Sequence, residues 1–143
     1  MISFTTTIET PWPVERSFAY LSDLRNFPDW DPGTKSAEQV GGDGPGEGST
    51  YDLKAGALVL RYEVTEFEPA HRVAAVGEHW LVRSDDTITI TPSDSGSVIT
   101  YAAALTPKGL GKLTTPLLRP TFAKMGEEAA DGLAEATEGT RIS

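Results

Sequence analysis

The stretch Asp86-Thr87-Ile88-Thr89-Ile90-Thr91, then Pro92-Ser93-Asp94-Ser95-Gly96, then Ser97-Val98-Ile99-Thr100-Tyr101-Ala102-Ala103-Ala104-Leu105 decides the fold class. Asp86, Ile88 and Ile90 share one parity and Thr87, Thr89 and Thr91 the other. Period-two alternation of this kind marks a strand with one covered face and one wet face. The Pro-Ser-Asp-Ser-Gly cluster is a turn. Beyond it Ile99, Tyr101, Ala103 and Leu105 share a face, so the two runs predict an antiparallel hairpin. Immediately downstream the period changes. Leu110, Leu113, Leu117, Phe122, Met125, Ala129, Leu133 and Ala136 recur mostly at three and four residues, which predicts one long helix. Pro116 and Pro120 fall in its first half and predict a break or kink there.

Upstream, the same alternation repeats. Leu58, Leu60, Tyr62 and Val64 define one face of a strand reaching Phe67, and Tyr51 and Leu53 one face of Thr50 to Ala55. Arg72 to Val76 and Lys35 to Val40 read as further strands, and Ile2 to Glu9 as the first. Gly41 to Gly48 is a loop by composition. Pro13 opens a helical face of Val14, Phe18 and Leu21. A second short helical piece near Leu24–Phe27 is expected to end before Pro28. Consecutive short-linked strands form a meander rather than parallel units. The fold class is therefore α+β: a curved antiparallel sheet of six to seven strands, two short helices after the first strand, and a long C-terminal helix across the sheet. A helix is only about 10 Å wide. It does not fill the concavity of such a sheet, so a hollow between the two is expected.

With 143 residues the chain fits one domain, 1–143. The absence of cysteine excludes disulfides, thiolate catalysis and Cys-ligated metal. No signal-peptide pattern and no run of about 20 apolar residues is present, so a cytoplasmic protein without stable membrane insertion is expected. Twelve Lys+Arg against 21 Asp+Glu give a net charge of −9, which repels phosphates and anionic lipid heads and so opposes both nucleic acid and membrane as partners. His71 and His79 would stand about 26 Å apart on one extended strand, so no metal site is read. Gly41–Gly48 matches no phosphate-binding motif, and no cofactor is expected.

Several features together resemble the polyketide cyclase/dehydratase-like branch of the START (SRPBCC) superfamily. They are Phe27-Pro28-Asp29-Trp30-Asp31-Pro32, Gly46-Glu47-Gly48-Ser49-Thr50-Tyr51, Tyr62 to Pro69 followed by His71-Arg72-Val73, Asp86 to Pro92, Gly96 to Tyr101, and the proline-bearing C-terminal helix. The resemblance implies a helix-grip fold and an internal cavity for a small hydrophobic ligand. It supplies no catalytic signature.

Read from strand parity and helix spacing, with Trp30 from the aromatic connection, the cavity would be lined by Trp30, Tyr51, Leu53, Leu60, Tyr62, Val64, Asp86, Ile88, Ile90, Tyr101, Leu117, Phe122 and Met125. Asp86, Tyr62 and Tyr101 are the candidate catalytic or orienting groups: a carboxylate in apolar surroundings has a raised pKa and can exchange a proton. Alternatively Asp86 lies at an open strand end, hydrated or paired with Arg83. Trp30 either walls the pocket or caps the core, and the facing of His79 and Trp80 is open. Three functions follow: binding of a hydrophobic molecule by a monomer or homodimer, cyclase or dehydratase chemistry on a polyketide-like substrate, or a co-chaperone-type interaction module.

Overall fold

A computed structural model describes residues 1–143. The strands are β1 (Ile2–Thr10), β2 (Thr34–Gly41), β3 (Thr50–Ala55), β4 (Leu58–Glu68), β5 (Arg72–His79), β6 (Val82–Ser93), β7 (Gly96–Pro107) and β8 (Thr140–Arg141). They form one eight-stranded sheet in the order β2-β3-β4-β5-β6-β7-β1-β8, antiparallel at every junction. Two short helices, α1 (Val14–Leu21) and α2 (Phe27–Trp30), follow β1, and α3 (Thr115–Ala136) closes the chain before β8. This is the helix-grip arrangement that the strand-then-helix order predicts, with a two-residue edge strand added.

The alternation seen in the sequence sets the facing. Val82, Ser84, Asp86, Ile88 and Ile90 of β6 are buried on the concave side, as are Ile99, Tyr101 and Ala103 of β7. The β6–β7 hairpin closes more tightly than the turn cluster suggests, with Ser93 opposite Gly96. A register shift between Val64 and Glu66 places an extra residue in β4, which bends the strand and curves the sheet.

Three local expectations are corrected. Pro28 does not end a helical piece. A 3-10 turn spans Leu24–Asn26 and α2 begins at Phe27, with Pro28 in its first turn, where a missing N–H costs nothing. β6 begins at Val82, so Asp86 lies inside a strand rather than at an open end. The long helix does not start at Leu110. Gly109–Thr114 is a 3-10 segment, α3 begins at Thr115 with Pro116 in its opening turn, and the helix runs 22 residues through Pro120.

One end of the concave face is packed solid. α1 and the 3-10 turn place Phe18, Leu21 and Leu24 against the core that contains Ile8, Val64, Ile90 and Ile99. Phe18 meets Phe67 edge-on at 5.1 Å. Ser97 fixes α1 there, sharing a 2.8 Å hydrogen bond with Ser17 and donating to the Trp12 carbonyl at 2.7 Å. The rear of α3 is a seam of Gly126, Ala129, Ala130 and Leu133, all buried. This helix packs chiefly against β1, α2 and β8. At Gly132 a Cβ would collide with the Trp30 carbonyl, so glycine is what lets α3 approach α2 so closely. Because α3 leans to that side, it stands off from the inner faces of β3 and β4.

Candidate functional site

The gap left by that lean is a cavity of about 400 Å³, within the roughly 300–1,000 Å³ typical of small-molecule sites. Its sheet wall is made by Leu53, Leu60, Tyr62, Asp86, Tyr101 and Ala103, and its helix wall by Leu118, Phe122 and Met125. The connection after α2 contributes Asp31 and Thr34. Of 23 lining residues 15 are hydrophobic, so the interior is greasy with a few localised polar groups.

The main polar group is Asp86, which is 7% exposed. Its Oδ1 accepts from the Ser84 hydroxyl at 2.6 Å and its Oδ2 from the Tyr101 hydroxyl at 2.9 Å. Regular strand geometry brings these three together: Ser84 is two residues along the same face of β6, and Tyr101 of β7 is opposite Ile88, one step diagonal to Asp86. Burial pushes the Asp86 carboxyl from 3.8 up to about 6, against the lowering effect of the two hydrogen bonds. Burial, and then the Asp86 charge, raise the Tyr62 and Tyr101 phenols well above 10.0, so both remain hydrogen-bond donors at neutral pH.

Asp31 is a second carboxylate on the cavity wall. It accepts from the Gly33 N–H and the Thr34 hydroxyl, both at 2.9 Å. Burial raises its pKa too, opposed by those bonds. Tyr62 owes its place to Gly77, directly opposite on β5. A Cβ at Gly77 would stand 2.5 Å from the Tyr62 ring, so only glycine lets the ring lie flat on the neighbouring strand.

The sequence matches the family described as "Polyketide cyclase / dehydrase and lipid transport" over residues 1–138. The chain belongs to that family. Solved structures share the fold at low identity. A START superfamily protein from Mycobacterium smegmatis is 15% identical with a TM-score of 0.74, covering 95% of this chain and 97% of its own. The hypothetical protein jhp0584 from Helicobacter pylori is 13% identical with a TM-score of 0.73, covering 95% of this chain and 86% of its own. The di-domain ARO/CYC StfQ from the steffimycin biosynthetic pathway is 15% identical with a TM-score of 0.69; the match covers 96% of this chain and 51% of StfQ. No curated protein matches the sequence.

In this family member, eleven of the thirteen residues singled out divide into two groups. Leu53, Leu60, Tyr62, Asp86, Tyr101, Phe122 and Met125 line the cavity. Tyr51, Val64, Ile88 and Ile90 face the same side but lie in the packed core. Trp30 caps the core from behind: it lies tilted at 53° against Phe27 with ring centres 4.6 Å apart and meets Tyr101 edge-on at 5.3 Å, so it supports the tyrosine rather than the pocket. Leu117 points outward and is 75% exposed. Arg83 does not reach Asp86; it binds Asp85 at 3.0 Å and Glu78 at 3.6 Å on the outer surface. Trp80 is in the β5–β6 turn and exposed, stacked on His79 at 5.9 Å. Sequence reasoning missed Leu118, Asp31 and Ser84. Leu118 had a signal: it precedes Phe122 by four residues, whereas Leu117 precedes it by five.

Proposed function

We propose that this chain binds a small, mainly apolar molecule in the cavity between the sheet and α3. The observation that supports it most is an unfilled, largely hydrophobic hollow of about 400 Å³ whose walls carry a hydrogen-bonded carboxylate. Interiors are normally packed to crystal density. A hollow of this size forgoes contacts that its lining would otherwise make, and a ligand restores them. Apolar burial would supply affinity at roughly 25 cal/mol per Å², less the costs of ordering. Asp86, Tyr62 and Tyr101 would orient one polar group of the ligand.

Native mass spectrometry of the isolated protein, with titration of a neutral environment-sensitive dye, tests this. The expected result is a retained small molecule or saturable dye binding, abolished by Ala103→Phe, which fills the hollow from β7. Dye binding unchanged by Ala103→Phe, with no retained molecule, would sink the reading.

A second reading is supported by Asp86 itself. A carboxyl pushed up to about 6 and held 2.9 Å from a tyrosine hydroxyl is poised to exchange protons near neutrality. Cyclisation or dehydration of a polyketide-like substrate needs a proton removed beside a carbonyl and one delivered to oxygen. Asp86 would take the first as its carboxyl becomes protonated and then return that proton to the oxygen, while a tyrosine hydroxyl hydrogen-bonds the same oxygen. Turnover of a poly-β-ketone analogue that survived Asp86→Asn combined with Tyr62→Phe and Tyr101→Phe would remove this reading.

A further inference from the structure

The outer surface beside the cavity's open end departs from the rest of the chain. No Asp or Glu occurs from Ser95 to Gly126, in a chain with 21 acidic residues. The same stretch carries Lys108, Lys112, Arg119 and Lys124. Lys108 is bound to Glu78 at 2.6 Å and Lys124 lies 3.9 Å from Glu128. Lys112 and Arg119 are exposed and have no acidic partner. Between these cations, Leu110, Leu113 and Leu117 are 66%, 79% and 75% exposed.

Trp80 joins the leucines. It is 68% exposed and adjoins Leu81, whose carbonyl accepts from the Lys108 N–H at 2.9 Å. Leu110 and Leu81 both also line the cavity. The leucines, the tryptophan and the free cations therefore lie next in the chain to Leu81, Gly111, Thr114 and Leu118 of the cavity wall, where the lining residue Leu110 is itself exposed. The net charge of −9 opposes an anionic surface for the molecule as a whole, but the charge is segregated, and here its sign reverses.

We propose that this face docks the protein on the surface of an anionic lipid bilayer, with the cavity opening toward the acyl layer. Leucines entering the headgroup–acyl boundary, a tryptophan at the interface and cations among the headgroups form the pattern of a peripheral binding face. Charge complementarity decides the occupant. A second copy meeting this face across a two-fold axis would press Lys112 and Arg119 against cations of the same patch, whereas anionic headgroups neutralise them. No helix is long and apolar enough to span a bilayer, so attachment would be superficial. The proposal rests on the surface and holds whether or not the cavity takes a ligand.

Co-sedimentation with vesicles of phosphatidylcholine alone, or with phosphatidylglycerol added, tests it. The expected result is binding to the anionic vesicles, weakening as salt is raised, with a blue shift of tryptophan emission that Trp80→Phe removes. Lys112→Glu with Arg119→Glu lowers partitioning by roughly tenfold or more while dye binding in the cavity is unchanged. Leu113→Ser with Leu117→Ser lowers it as well. The proposal is overturned by wild-type protein that ignores both vesicle types, or by charge-reversed protein that partitions like wild type. It is also overturned if the leucine substitutions turn a dimer into a monomer while vesicles are ignored, which would make the face a contact between copies.

Discussion

β6 and β7 carry one unbroken alternation but meet different surroundings at their two ends. Ile90 and Ile99 are 1% and 0% exposed in a solid core, while Asp86, Tyr101 and Ala103 a few residues along the same faces border open space. The strands do not cause the difference. At the solid end, α1 and the 3-10 turn supply Phe18, Leu21 and Leu24. At the other end the front of α3 is the cover, and its leucine at position 117 turns away. A hollow in this fold is thus made by what the helices omit, and stability and binding should respond oppositely to changes at the two ends.

The largest effect is expected from Ile99→Ala. It opens a void in the solid end and should cost toward the upper part of about 2–5 kcal/mol, measured by urea unfolding, with cavity dye binding retained by the folded fraction. A cost below about 1 kcal/mol would erase the contrast.

Next is Asp86→Asn. In the unfolded chain this carboxyl titrates near 3.8 and in the folded protein near 6. Between those values the folded state holds the extra proton, so stability falls as pH rises and the whole penalty is present above about pH 6. The shift corresponds to something on the order of 3 kcal/mol. The amide removes it: Asp86→Asn should be more stable than wild type above pH 6 and no different below the unfolded-state value. Denaturant midpoints across that range check the sign, and a variant destabilised above pH 6 would contradict the assigned burial.

Leu60→Ala sharpens the comparison from the hollow side. Leu60 already faces space, so fewer contacts are lost on truncation and the cost should stay below about 2 kcal/mol, while dye affinity falls. The smallest effect on stability is expected from Trp30→Phe. It keeps an aromatic ring behind Tyr101 and removes an indole N–H that is buried without a partner. Its stability change should be under about 1.5 kcal/mol, and a large loss would mean that the indole does more than fill volume.

Much of this was legible in the sequence. Period-two runs in β4, β6 and β7 identified the buried face residue by residue, since a pleated strand permits only two orientations. What parity does not encode is distance along the strand from a covering helix. That is why Tyr51, Val64, Ile88 and Ile90 share the cavity's face yet lie in the core. The helix erred in phase: Gly109 and Gly111 with Pro116 delay α3 to Thr115, and the leucine repeat before that point follows a 3-10 segment instead. Ser84 escaped because the start of β6 carries Arg83 and Asp85, whose charges mask the alternation. Asp31 comes from a turn, where no periodicity exists to read.

The sheet order has a consequence for how the chain acquires its shape. β1 precedes the other strands of the sheet, yet it pairs with β7 and β8, and Ile2 meets Leu105 in the register. β1 therefore waits until β7 has been made before finding a partner, whereas β3 to β7 zip as successive hairpins. The long separation between β1 and β7 predicts slow completion of that pairing. In that interval an apolar-faced strand is available to the wrong neighbour, and aggregation during synthesis would begin there.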